Sequence, residues 1–523
     1  MLLKILLLVL FFAVMVGVGI ACRKSAGSVQ GFVLGGRSVG SWLTAFAFGT
    51  SYFSAVIFVG YAGQFGWRFG LASTWIGLGN ALIGSLLAWR LLGRRTRLMT
   101  QHLGSATMPD FFEKRFGSPA IKVAASVIIF IFLIPYTASL YNGLSRLFGM
   151  AFGIDYLWCV LAMAVLTGIY VLVGGYMATA VNDFIQGMIM LVGIVAVIVS
   201  VLNGNGGFTP AIEKLSHITA ESAPGINGAF VSFFGPQPLQ LLGVVLLTSL
   251  GTWGLPQMVG KFYAIRDEAA IRKGTVISTL FALVVAGGCY FLGGFGRLYA
   301  DVVEYVNPAT PVYDSIVPSM LATLPDIMIG VVIILVLSAS MSTLSSLVLT
   351  SGSTLTLDII APAMHGRLEE RGKLLSIRLL VLFFIAVSSV LAIVQARSSV
   401  TFIAQLMGIS WGALAGAFLA PFLYGLYWKR TSKAAVWASF IFGIAVMCGC
   451  MFCTFTGRTF ISPFFTSPIN AGVLAMLGGL VLVPVVSVLT PLKASRRPAV
   501  DSMFDCYNSY VKVRATDALS GEE

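Results

Sequence analysis

Long apolar runs recur down the whole chain, at about 3–22, 41–65, 70–92, 119–149, 157–174, 182–202, 238–260, 274–296, 326–350, 374–396, 401–426, 434–456 and 467–489. Crossing the hydrocarbon core of a bilayer takes about 20 apolar residues per helix. In lipid, backbone polar groups must be satisfied within the segment, which selects helices. The runs therefore predict an all-α polytopic membrane protein with about thirteen transmembrane helices. Of 523 residues only 10% are charged, against about 25% in soluble domains. What lies between the runs is too short for a separate catalytic domain. A soluble enzyme, a disulfide scaffold and a nucleic-acid binder are excluded, and no obligate protein partner is evident.

The net charge of +13 reads as topology. With the N-terminus outside, the odd-numbered connections and the tail hold 26 of the 33 Lys and Arg residues, and the opposite side keeps seven. Cytoplasmic loops carry such an excess, so the reading is a multi-pass protein of the cell (inner) membrane, N-terminus outside and C-terminus cytoplasmic. The first run is expected to be a retained helix. Lys4 alone precedes it, whereas Arg23, Lys24 and Arg37 follow, the reverse of a signal peptide's bias.

The seven cysteines lie mostly within apolar runs, where cysteine behaves as a small hydrophobe. Cys448, Cys450 and Cys453 cluster without a nearby histidine or carboxylate. The histidines, His102, His217 and His365, all fall in predicted loops. Gly366 to Lys373, the stretch nearest a phosphate-binding loop, has the wrong spacing.

The runs divide into segments 1–40 (first helix and cytoplasmic loop), 41–203 (five helices), 204–237 (outer loop), 238–427 (five helices), 428–490 (two helices) and 491–523 (a polar tail, partly disordered). Two successive sets of five spans must enter the membrane from opposite sides. Transporters built this way bind their cargo at mid-membrane, on discontinuous helices.

The second run reads Phe46-Ala-Phe-Gly-Thr-Ser-Tyr-Phe-Ser-Ala55. Unwinding there would free carbonyls of Thr50 and Phe53, oxygens of the kind hard cations take. Close helix packing through small residues is the other reading. In the ninth run Ser338, Ser342, Ser345 and Ser346 fall at i, i+4, i+7 and i+8, with Thr343 beside them, making one hydroxyl stripe on an apolar span. Opposed to freed carbonyls, that stripe would complete a five-oxygen shell for Na⁺. Asp183 is the acidic residue placed most clearly inside a span, and such residues are functional by default. It could coordinate a cation, titrate as a proton carrier, or cap the sixth helix. The seventh run carries Thr248-Ser-Leu-Gly-Thr-Trp-Gly-Leu-Pro-Gln257, in which Gly254 and Pro256 mark a weak point and Trp253 a possible wall or gate.

Four motifs extend the reading. Phe32-Val-Leu-Gly-Gly-Arg-Ser38, Pro109-Asp-Phe-Phe-Glu-Lys-Arg-Phe116, Gly174-Gly175 followed by Asp183, and Met341-Ser-Thr-Leu-Ser345 together resemble the sodium:solute symporter family, most of all its sodium/proline branch, over about residues 30–430. The resemblance implies a 5+5 inverted-repeat (leucine-transporter-like) core and Na⁺-driven uptake. It puts a main sodium site at Thr50, Phe53, Ala339, Ser342 and Thr343, and a second at Asp183, Ser345 and Ser346. Position suggests Ser51, Tyr52, Ser54, Thr252, Trp253, Pro256 and Gln405 for the solute. Tyr52 stands where proline carriers have an aspartate, and Thr248 and Thr252 where they have tryptophan and tyrosine. The expectation is a Na⁺ symporter, not an enzyme, importing a small polar organic solute: an amino acid such as proline, or a related metabolite. The alternatives are a proton-coupled carrier of the same fold or a sodium symporter for sugars, monocarboxylates or pantothenate.

Overall fold

A computed structural model describes residues 2–153, 155–307, 310–365, 367–396, 403–456 and 466–508, and they are helical almost throughout. Helix α1 (Leu2–Ala21) leads through the short α2 (Val29–Leu34) to the first five-helix set. The second run is a broken rod. α3 (Ser41–Tyr52) stops where Phe53 turns extended, at φ −92° and ψ 120°. The chain then rewinds as a π-turn, Val56–Tyr61, into α4 (Ala62–Phe69). Next come α5 (Thr74–Gly79), two wide π-wound turns and α6 (Arg94–His102). They are followed by α7 (Met108–Phe116), whose first turn is capped by Thr107, and α8 (Pro119–Phe152). α9 (Tyr156–Gly204) takes in the fifth and sixth runs together.

The second set repeats the plan after the short helix α10 (Phe208–Ser216). α11 (Pro238–Leu250) and α12 (Pro256–Ala264) form another broken rod, bent by 42°. α13 (Glu268–Gly293), α14 (Tyr313–Ala322) and α15 (Asp326–Leu355) follow, the last running on through a π-turn into α16 (Ala361–Ala363). α17 (Glu370–Ala396) and α18 (Ile403–Tyr427) complete the set. α19 (Lys433–Thr456) and α20 (Pro468–Leu489) pack on α18, and α21 (Arg497–Asp505) leads into a last 3-10 turn at Cys506–Asn508.

Among the described residues ten helical stretches are long and apolar enough to cross a membrane, eleven with the α11/α12 pair. Two of the ten run to 47 and 49 residues, well beyond one bilayer at 1.5 Å per residue. Each contains a glycine in the left-handed region: Gly70 (φ 63°, ψ −141°) and Gly175 (φ 56°, ψ −150°). Divided there, the rods make thirteen crossings. The junction of the fifth and sixth runs is thus a single turn at Gly175, against which Phe32 packs so closely that a Cβ would lie 2.9 Å from its ring. Asp183 therefore lies two turns inside the helix that follows, fully buried, and is not an N-cap.

The inversion of the two sets is visible where they touch. The Val39 N–H, just before α3, donates to the Ala264 carbonyl that ends α12 (3.1 Å), and the Arg266 N–H donates back to the Val39 carbonyl (3.0 Å). The start of one broken rod thus meets the end of the other, and the two run antiparallel. Between them α15 is buried without interruption from Leu335 to Leu349, packed against α8, α9 and α17.

Several charges assigned to connecting loops are buried instead: Arg37, Arg97, Arg115 and Lys261. The three arginines cap helix ends. Arg37 donates to the carbonyls of Tyr263 and Ser105, Arg97 to Ile265, and Arg115 to Gly425 and Trp428. A cation on the last carbonyls of a helix also meets the negative end of its dipole. Burial lowers the Arg37 guanidinium's pKa to about 10, which leaves it charged at neutral pH. The tail is ordered as far as Asn508, where Arg94 donates to the Tyr507 carbonyl and the Tyr507 hydroxyl to Leu426. The rest of the expected disorder lies outside the described residues.

Candidate cation site and solute pocket

Helix α3 unwinds where small and hydroxylated residues leave little to hold its last turn. The Thr50 hydroxyl turns back onto the Phe46 carbonyl (2.8 Å), and the Phe53 N–H closes on Gly49 (3.2 Å). With Phe53 extended, the carbonyls of Thr50 and Phe53 face α15 rather than a following helical turn. There the Ser342 hydroxyl lies 3.2 Å from the Thr50 oxygen and 3.1 Å from the Ala339 oxygen. The Thr343 hydroxyl lies 3.2, 3.3 and 3.1 Å from the oxygens of Thr50, Phe53 and Ala339. All five oxygens named for the main site are brought together.

Proton counting says what such a cluster suits. Each hydroxyl carries one proton, so Ser342 and Thr343 satisfy two of these five contacts and the other three meet lone pair to lone pair. A cation among them offsets that repulsion. Oxygen ligands at about 2.3–2.6 Å from a hard cation of calcium-like radius stand about 3.3–3.7 Å from their neighbours, close to the spacing found. The donor set is two hydroxyls and three carbonyls, all neutral, which suits a singly charged ion better than a divalent one.

One turn further along α15 the arrangement differs. Asp183 and Ser346 approach each other around an ammonium. Lys261 Nζ, on α12, donates to Ser346 Oγ (3.0 Å) and stands 3.7 Å from Asp183 Oδ2, with the Tyr176 ring centroid 5.3 Å away. Ser51 joins this group, its hydroxyl 2.7 Å from that of Ser346, and so faces away from the solute pocket. Ser345 turns its hydroxyl to the Ser342 carbonyl (2.9 Å). Lys261 escaped the sequence reading because it follows an apolar run directly, as a loop lysine would. The signal was its position five residues beyond Pro256, inside the second half of a broken rod.

Of the remaining solute candidates, Tyr52 and Thr252 line a small void beside the α3 break, together with Phe48, Gly49, Asn80 and Ser278 among others; Ser54, Trp253, Pro256 and Gln405 do not. It has about 10 Å³ of room for a water's centre, enough for one molecule, so no organic solute fits in this conformation. The Tyr52 hydroxyl donates to the Thr248 carbonyl (3.1 Å), and its ring lies 5.5 Å from that of Trp411. Thr252 donates to Gly84 (3.0 Å) and Trp253 Nε1 to Ile83 (3.0 Å), so both lean on the third crossing. Pro256 opens α12, Ser54 is buried at the α3 break, and Gln405 sits half-buried in the first turn of α18. Sequence reasoning missed Asn80, Ser278 and Trp411. Asn80 takes hydrogen bonds from Thr248 and Ser249, and an amide in the middle of an apolar run was its one visible sign.

The family model for the sodium:solute symporter family matches residues 32–443. The osmoregulated proline transporter OpuE of Bacillus subtilis (strain 168) is 29% identical over 441 residues, 84% of this chain and 86% of that one. Sodium/proline symporter 2 of Staphylococcus saprophyticus is 30% identical over 454 residues, 84% of each chain. Among solved structures, a substrate-bound, outward-open Na⁺-coupled sialic acid symporter aligns with a TM-score of 0.70 over 93% of this chain and 98% of that one. At 16% identity the likeness is one of fold.

Proposed function

Because the chain belongs to the sodium:solute symporter family, we propose that it imports a small polar solute with Na⁺ held by Thr50, Phe53, Ala339, Ser342 and Thr343. The observation that carries the assignment is the mutual approach of those five neutral oxygens, contributed by a helix break and by a helix almost 300 residues away in sequence. An ion there ties α3 to α15 across the two repeats, so its arrival favours the conformations in which both are in register. The solute pocket adjoins the same break at Tyr52. Ion and solute thus act on one hinge, which is what coupling requires. Each sodium crossing 100 mV supplies about 2.3 kcal/mol.

The two relatives named for proline make a zwitterionic amino acid the first class to try. The charge bias of the loops supports a cell-membrane orientation with the N-terminus outside. Proteoliposomes test the reading: solute-dependent ²²Na⁺ uptake, screened over amino acids, sugars, monocarboxylates and pantothenate. The expected result is uptake that follows Na⁺ and not pH. Uptake that follows pH at constant Na⁺ contradicts it.

A further inference from the structure

Among the described residues, Asp183 and Lys261 form a buried pair that bonds no helix end. Asp183 on α9 and Lys261 on α12 are buried to 0% and 4% exposure, and the groups about them come from α3 (Ser51) and α15 (Ser346). These are both broken rods, the kinked rod and the central hydroxyl stripe. The carboxylate is only partly used. Lys261 Nζ stands 3.7 Å from Asp183 Oδ2, beyond hydrogen-bond reach, and among the described residues neither carboxylate oxygen has a hydrogen bond of its own. Ser346 lies one helical turn from Ser342, about 6 Å along the axis, so two positive charges can sit side by side only because Asp183 offsets one of them.

We propose that the ammonium of Lys261 is a resident cation occupying the position that Asp183 and Ser346 would otherwise offer to a second Na⁺, so that this transporter carries one sodium per cycle. The ammonium takes the place of the ion without the ability to leave. Its stem anchors it to α12, so it travels with the second broken rod when the rod moves. A neutral residue at 261 leaves a buried carboxylate with two free oxygens beside two serine hydroxyls, an oxygen set that recruits Na⁺ from the medium. The inference rests on the main-site assignment for the identity of the one ion, and the test separates the two.

The measurement is equilibrium ²²Na⁺ binding to the purified full-length chain at pH 7.5, counted as ions per chain. One ion is expected for the natural protein and two for Lys261→Ala. The double variant Asp183→Asn/Lys261→Met, which has neither charge and so avoids a lone buried ion, should bind one ion with affinity within threefold of the natural protein. Two ions on the natural protein overturn the proposal. So does a single ion on folded Lys261→Ala, and so does loss of the ion from the double variant. Should Lys261→Ala not fold, the natural protein and the double variant still decide. Failure of the main-site assignment looks different: Ser342→Ala/Thr343→Ala would keep its ion, while the contrast between the natural protein and Lys261→Ala stood.

Discussion

Two clusters one turn apart on α15 handle positive charge in opposite ways. Around Ser342 and Thr343 every partner is neutral, and the oxygens crowd one another at 3.1–3.3 Å. Around Ser346 the partners are charged, and the cation is a side chain of the protein itself. A neutral cage binds an ion only as strongly as its dipoles allow, so the ion comes and goes. A buried carboxylate with its own ammonium stays filled. Under the proposed assignment, exchangeable cargo belongs to the first and a permanent tie between helices to the second. Mutations should accordingly show up as affinity at one cluster and as stability at the other.

The strongest way to break the contrast is at the cage. Ser342→Ala/Thr343→Ala removes two of five ligands, each a contact to charge of about 1.5–3 kcal/mol. The Na⁺ concentration for half-maximal uptake should rise more than about 100-fold, with about 10-fold for either change alone and little loss of thermal stability. At the pair, Asp183→Ala strands a buried ammonium, which costs about 3–5 kcal/mol. A large fall in melting temperature is expected there, and a melt unchanged within error would remove the ion pair from the account.

Smaller effects sharpen the division. Ser346→Ala deletes an acceptor of the Lys261 ammonium and should cost about 1.5–3 kcal/mol of stability while moving sodium affinity less than about threefold. Tyr52→Phe loses one buried hydrogen bond, about 0.5–1.5 kcal/mol, and should alter the KM for solute more than that for sodium. Ser345→Ala is the control. Its hydroxyl turns to the backbone of its own helix and away from the Lys261 ammonium, so stability and affinity should both stay within about 0.5 kcal/mol.

The sequence carried the rods and the hydroxyl stripe because both depend on local pattern. Apolar length marks the crossings, the hydroxyl stripe of Ser338 to Ser346 has helical period, and Gly254 with Pro256 announces a break. What it concealed depends on tertiary partners. Lys261 and Arg37 look like loop charges, since nothing local reveals the carboxylate or carbonyls that make their burial tolerable. The two long rods are legible as separate runs, broken at 65–70 and 174–182, and the positive-φ backbone of Gly70 and Gly175 supplies the turns there. Ser51 lies next to Tyr52, yet one faces Ser346 and the other Thr248, because the chain unwinds immediately after them.

A diffraction map of the protein crystallised in NaCl speaks most directly to the idea of an oxygen cage shared by α3 and α15. The account predicts a single spherical peak about 2.3–2.6 Å from the Thr50, Phe53 and Ala339 carbonyls and the Ser342 and Thr343 hydroxyls, lost when the sodium is replaced by N-methyl-glucamine. A map in which those hydroxyls stay hydrogen-bonded to the carbonyls, with sodium bound elsewhere, would contradict it.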